Sequence, residues 1–219
     1  MDSINLENIL YQISIWALPV LFAITLHEVA HGYVADKLGD STARALGRLT
    51  INPIKHIDPI GTLLIPAIMV ILPLGFVFGW AKPIPVNTRN LANPRKDMAL
   101  VAIAGPLANL AMAFAWGAFI LLAYLAPDLG IRQGIVDMAQ NGVIINVLLM
   151  VLNLLPLPPL DGGRVLAGVV PRNMANWLDR IEPYGFLIIL VILVSGVFAE
   201  TFGALIQNIS LFILQIFVH

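Results

Sequence analysis

The 219 residues are 59% hydrophobic and only 11% charged, against about 25% charged in an ordinary soluble domain, which places the chain in a lipid bilayer. A net charge of −1 leaves no electrostatic footprint for nucleic acid, and the absence of cysteine excludes disulfides and thiolate metal ligands. The polar links between apolar runs are short, so residues 1–219 read as one domain, an all-α, multi-span bundle in the cell membrane, with no separately folded soluble unit.

The first apolar run, residues 10–35, follows the acidic Asp2 and Glu7 instead of a basic leader. It carries His27, Glu28 and His31 where a cleavage site needs small residues, so it reads as a retained helix and not as a removable signal. Further runs lie at 60–80, 98–126, 135–158 and 184–217, and a spanning helix needs roughly 20 such residues. The basic residues sort the links by side. Lys37, Arg44, Arg48 and Lys55 fall in 36–59, Lys82, Arg89, Arg95 and Lys96 in 81–97, and Arg164, Arg172 and Arg180 in 162–183, leaving Arg132 alone in its link. Under the positive-inside rule the three basic links are cytoplasmic.

That sorting sets a constraint on residues 60–80, because a run whose two flanks share a side cannot cross once. Pro66 and Pro73 interrupt it, so a re-entrant segment that enters and leaves on the cytoplasmic side is expected there, with a plain spanning helix as the alternative. The remaining helices then alternate, 10–35 inward, 98–126 outward, 135–158 inward and 184–199 outward, and 16 residues at 202–217 are marginal for a span.

Within the first run, His27-Glu28-Val29-Ala30-His31 fits H-E-x-x-H. On a helix, positions i and i+4 share a face, so both imidazoles can ligate one Zn²⁺ with Glu28 beside them as a base for water. An ionisable group inside a bilayer costs about 2.5–3.5 kcal/mol on the translocon scale, which makes its presence there a functional signal. The competing reading is that these side chains are wet and interfacial, since they lie near the end of the helix.

Catalytic zinc takes three protein ligands and keeps one position open. His56, Asp58, Asp36 and Asp161 are the candidates for the third. The surroundings of Asp161, "NLLPLPPLDGG", are the most informative: Pro156, Pro158 and Pro159 break the end of the 135–158 helix, and Gly162-Gly163 permits a sharp turn, which puts Asp161 on irregular backbone at the depth of the histidines. A capping role for Asp161 on the following helix is the structural alternative.

H-E-x-x-H in one transmembrane helix, joined to "NLLPLPPLDGG" about 130 residues later, resembles the site-2 protease family of intramembrane zinc metalloproteases. "AGPLANL" (104–110) and "GRLTINPIKHIDPIGT" (47–62) also match what such proteins carry, and the resemblance covers a catalytic core of about residues 15–180. It implies zinc held by His27, His31 and Asp161, Glu28 as general base, and Asn153 near the scissile carbonyl. It also implies that "GRLTINP" forms a membrane-associated β-hairpin that pairs with an unwound substrate strand. Many relatives carry PDZ or CBS domains, for which these residues leave no room, so the resemblance is to the minimal subgroup.

The expected activity is hydrolysis of a peptide bond within or near a transmembrane segment of a membrane-protein substrate, with the active site towards the cytoplasm. Asn153 suits an oxyanion donor, being a neutral amide, and His56 is the second candidate for a catalytic role. The rival from another class is a zinc transporter, which has no need of a glutamate beside the first histidine and usually spreads its acids across the membrane's depth. Substrate identity and oligomeric state are not encoded in any motif here.

Overall fold

The computed structural model describes residues 6–71, 79–125 and 131–218. Eight α-helices account for most of them: α1 (Leu6–Lys37), α2 (Thr42–Ala45), α3 (Ile65–Ile71), α4 (Pro94–Leu125), α5 (Arg132–Asn153), α6 (Asp161–Val169), α7 (Arg172–Val194) and α8 (Val197–Val218). Among the described residues, four helices are long and apolar enough to cross a membrane, over Glu7–Lys37, Pro94–Leu125, Arg132–Asn153 and Val197–Phe217. Their outward faces carry large apolar side chains such as Leu10, Leu122, Leu125 and Phe212, which are exposed. An apolar exterior of this extent is stable against lipid and not against water.

The core sits between α4, α5 and α8. Ala113, Val143, Val147, Met150, Phe198 and Ile213 are buried there as one cluster. Small residues let the helices approach: a Cβ on Gly142 of α5 would fall 2.3 Å from the Trp116 ring of α4, and one on Gly117 would fall 2.6 Å from Phe217 of α8. Close packing and not the hydrophobic effect holds helices together in lipid, so these contacts take the place of an apolar core in water.

The C-terminal third departs from the hydropathy reading. The expected 184–199 span is not one helix. α7 begins at Arg172, because a polar and charged first half (Asp179, Arg180, Glu182) still packs as helix, and it stops at Ser195-Gly196, where Gly196 has φ +78°. α8 then starts at Val197, so the marginal 202–217 stretch belongs to a 22-residue helix.

The β-hairpin implied for "GRLTINP" does not form, and no strand occurs among the described residues. Local chemistry explains this. Gly47 turns at φ +63° after α2, Arg48 N closes back on Ala43 O at 2.9 Å, and the Asn52 side chain accepts from Ile54 N to start a 3₁₀ turn at Pro53–Lys55. Asp58 then accepts from Ile60 N and Gly61 N and starts a π-helical turn at Pro59–Leu64. Asn-Pro and Asp-Pro are turn initiators, and prolines 53 and 59 withhold the donors a strand ladder needs.

The segment expected to be re-entrant, 60–80, lies partly outside the described residues. Its described ends meet: Trp80 N donates to Gly61 O at 3.1 Å, and Thr62 Oγ1 donates to Trp80 O at 2.7 Å. The two basic links meet as well. Asp40, fully buried, accepts from Asn87 N at 2.6 Å and from Asn90 Nδ2 at 2.8 Å, tying the end of α1 to the turn before α4. Between these ties, residues 79–87 form neither helix nor strand and pass beside α1, where Ile84 N meets Glu28.

Candidate metal centre

α1 turns His27 and His31 to one face, towards α4, with both side chains buried. His31 Nδ1 lies 2.7 Å from Val101 O, and His27 Nδ1 lies 2.6 Å from Asn109 Oδ1. A backbone carbonyl only accepts, so His31 donates from Nδ1 and turns a bare Nε2 inward. The two Nε2 atoms stand 3.0 Å apart. Gly105 makes the space for them, since a Cβ there would lie 2.5 Å from His27 Cε1 and 2.5 Å from His31 Nε2.

Asp161 completes the group. It is the first residue of α6, which the 154–160 turn brings back against α4, where Arg95 donates to Ala167 O. Leu157 N bonds Leu155 O at 2.7 Å and Leu160 N bonds Leu157 O at 3.0 Å within that turn. The role expected of Gly162-Gly163 is corrected: they do not make a sharp turn but are helical. They are required because a Cβ would meet Leu154 O at 2.4 Å or Pro158 N at 2.3 Å as α6 packs onto the turn. Asp161 is likewise regular helix, not irregular backbone. It lies inside α6, after the N-cap Leu160, and its buried Oδ2 stands 3.2 Å from His27 Nε2 and 3.3 Å from His31 Nε2.

Three ligand atoms, one from each residue, therefore converge in a group that could hold a metal ion. The spacing fits zinc: four ligands held tetrahedrally at about 2.0–2.1 Å lie about 3.3–3.4 Å from one another. So does the charge. Lone pairs of this kind packed at 3.0–3.3 Å repel unless a cation sits among them, and Asp161 Oδ2 has no conventional hydrogen-bond donor to compensate.

Glu28 faces the 79–87 segment, and its Oε2 accepts from Ile84 N at 2.7 Å. A cavity of about 160 Å³ opens at the centre and is lined by His27, Glu28, His31, Asp161 and Asn153 together. Beside it lies a larger apolar cavity of about 550 Å³ between α1, α5, α7 and residues 79–81. The two share His27, Glu28, Asn153 and Pro159. Asn153, the last residue of α5, donates from Nδ2 to Leu149 O at 2.9 Å.

Three other expected residues lie elsewhere. His56 is fully buried, with Nε2 2.9 Å from Thr50 O, and is not among the residues lining either cavity. Its carbonyl accepts from Lys82 N at 2.9 Å, so it props the 79–87 segment. Asp58 caps its own turn and Asp36 pairs with Arg44. Two site residues, Gly105 and Asn109, carry no role in the sequence reading, although both stand in the quoted "AGPLANL".

A family model, Peptidase family M50, matches residues 128–196. The chain is 44% identical over 180 residues to YwhC of Bacillus subtilis, covering 80% of this chain and 78% of that one. The chain belongs to peptidase family M50, the site-2 protease family of intramembrane zinc metalloproteases. Rip2 of Mycolicibacterium smegmatis is 31% identical over 184 residues, and the match covers 80% of this chain and 64% of that relative. Both relatives are assigned by name to the zinc metalloproteases. No solved structure matches the chain. Family membership and the four apolar helices make this a multi-pass membrane protein, and the transporter alternative falls away with the family assignment.

Proposed function

We propose that this chain cleaves a peptide bond within or near a transmembrane segment of membrane-protein substrates, with zinc held by His27, His31 and Asp161. The observation that carries this is the convergence of those three ligand atoms beside Glu28 in one cavity. Zinc, when bound, supplies Lewis acidity towards water and towards the scissile carbonyl. Glu28 takes the proton of the attacking water and returns it to the leaving amine. The Ile84 amide steadies that carboxylate at one oxygen through a charge-assisted hydrogen bond. Asn153 has a second amide hydrogen beyond the one given to Leu149 O, and this is the donor we assign to the developing oxyanion. His56 acts through the backbone it props, as a positioning residue for the segment that carries Ile84.

The substrate must arrive extended, because a helix hides its carbonyls in its own hydrogen bonds. The apolar cavity next to the site suits the side chains flanking the scissile bond in a membrane-derived strand. For topology, the ties between Asp40 and Asn90 and between Gly61 and Trp80 support placing the two flanks of residues 60–80 on one side. The lysine and arginine excess in those links supports a cytoplasmic position for that side and for the active site.

The test is cleavage of a panel of single-span proteins by the purified chain in detergent, before and after zinc removal by a chelator. Cleavage that disappears with zinc and returns on its readdition is expected. Cleavage indifferent to zinc would contradict the metal-dependent reading.

A further inference from the structure

Asn109 on α4 and Asn146 on α5 are fully buried amides, and neither has a part in the proteolytic steps above. Each can present either an oxygen or a nitrogen in a given direction, and which one faces His27 matters. If Asn109 presents its NH₂, His27 Nδ1 must accept, the imidazole proton moves to Nε2, and that nitrogen cannot ligate a metal.

Two backbone carbonyls fix the choice, since a carbonyl only accepts. Asn146 lies 2.8 Å from Gly142 O, so its nitrogen points there and its Oδ1 points at Asn109. Asn109 then meets two acceptors on one side, Asn146 Oδ1 at 2.9 Å and Ala23 O at 3.3 Å, so its nitrogen takes that side. Its oxygen is left facing His27 Nδ1 at 2.6 Å. The direction of every hydrogen bond from α5 through α4 to α1 follows from Gly142 O and Ala23 O.

We propose that Asn146 and Asn109 form a directional amide relay that fixes His27 in its Nδ1–H tautomer, so that Nε2 stays bare for zinc. Both are positioning residues for the metal site, and Asn146 acts without touching a ligand. The relay also explains a choice of chemistry. A carboxylate at 109 would orient the imidazole as well, but would bury a second negative charge beside Asp161, whereas an amide does it neutrally once a neighbour sets its direction.

This inference rests on the zinc site of the preceding section, and its test separates the two. Zinc dissociation constants of the full chain in detergent are measured by competition with a fluorescent chelator. The variants are wild type, Asn146→Ala, Asn109→Asp and the double variant. Loss of an orienting partner of a ligand costs about 10–100-fold in metal affinity, and a weakening of up to that size is expected for Asn146→Ala, which leaves only the longer contact to Ala23 O, 3.3 Å, to direct Asn109. In the Asn109→Asp background the same change is expected to weaken zinc by less than about twofold, because a carboxylate offers oxygen to His27 whichever way it turns. A role in packing alone would show equal effects in both backgrounds, and that result overturns the relay while leaving the zinc site standing. A wild type that binds no zinc overturns both. Should Asn146→Ala fail to fold, ¹⁵N spectra of the zinc-loaded wild type decide the matter: His27 protonated at Nδ1 and ligating through Nε2 is expected, and ligation through Nδ1 overturns the relay.

Discussion

Gly105 stands so close to His31 that a Cβ built on it would lie 2.5 Å from the ring Nε2, and equally close to His27 Cε1. Both rings are pinned at Nδ1, by Val101 O and by Asn109, so neither can swing aside without losing a buried hydrogen bond. Gly105→Ala is therefore expected to lower zinc affinity about 10–100-fold while the helices remain folded, as measured by chelator competition alongside circular dichroism. Unchanged zinc affinity would mean that the rings do not sit against α4 as described.

Asp161 and Asp58 both carry a carboxylate of the kind that can ligate zinc, but they do different work. Asp161→Ala removes the third ligand atom and is expected to strip most zinc from the purified protein. Asp58 spends its carboxylate on Ile60 N at 3.1 Å and Gly61 N at 2.7 Å, so Asp58→Ala should keep zinc and cost stability of about 0.5–2 kcal/mol, as loss of a cap does. The reverse pattern in metal analysis would reassign the ligand.

Among the described residues Asn153 bonds its own helix, and it lines both cavities. Asn153→Ala should leave zinc in place and reduce kcat about 10²–10³-fold, the usual cost of an oxyanion donor. A kcat equal to wild type would remove it from the mechanism.

How much of this was legible beforehand follows from distance along the chain. His27, Glu28 and His31 sit within one turn and a half of helix, and periodicity alone places them on one face. Asp161 stands out in the sequence by the proline- and glycine-rich stretch around it, and Asn153 by the family resemblance that stretch carries. Asn109 was invisible because its partner lies 82 residues away, and nothing in a sequence says which small or polar residue of one helix will face a histidine of another. In sequence the Gly162-Gly163 pair signals a turn because glycine permits one, yet in the fold it is required by the approach of backbone at Leu154 and Pro158. Hydropathy missed the start of α7 because the charged residues of its first half break an apolar run without breaking a helix.

The ties between the two basic links bear on topology. Asp40 holds Asn87 and Asn90, which puts residues 41 and 88 near one another. Since the chain lacks cysteine, Ser41→Cys and Thr88→Cys can each be labelled in intact cells with an impermeant reagent, before and after permeabilisation. Both are expected to react only after permeabilisation. Labelling from opposite sides would rule out a re-entrant 60–80 segment.

The central claim is that Glu28 moves the proton while His27, His31 and Asp161 hold the metal. Glu28→Gln preserves size and the oxygen that accepts from Ile84 N, so it changes little except the ability to take a proton. Zinc content and cleavage of a membrane-spanning substrate, measured side by side for wild type and Glu28→Gln, test this most directly. Equal zinc in the two proteins and a rate lower by about 10²–10⁴-fold or more in the variant are expected. Equal zinc with equal rates would contradict it.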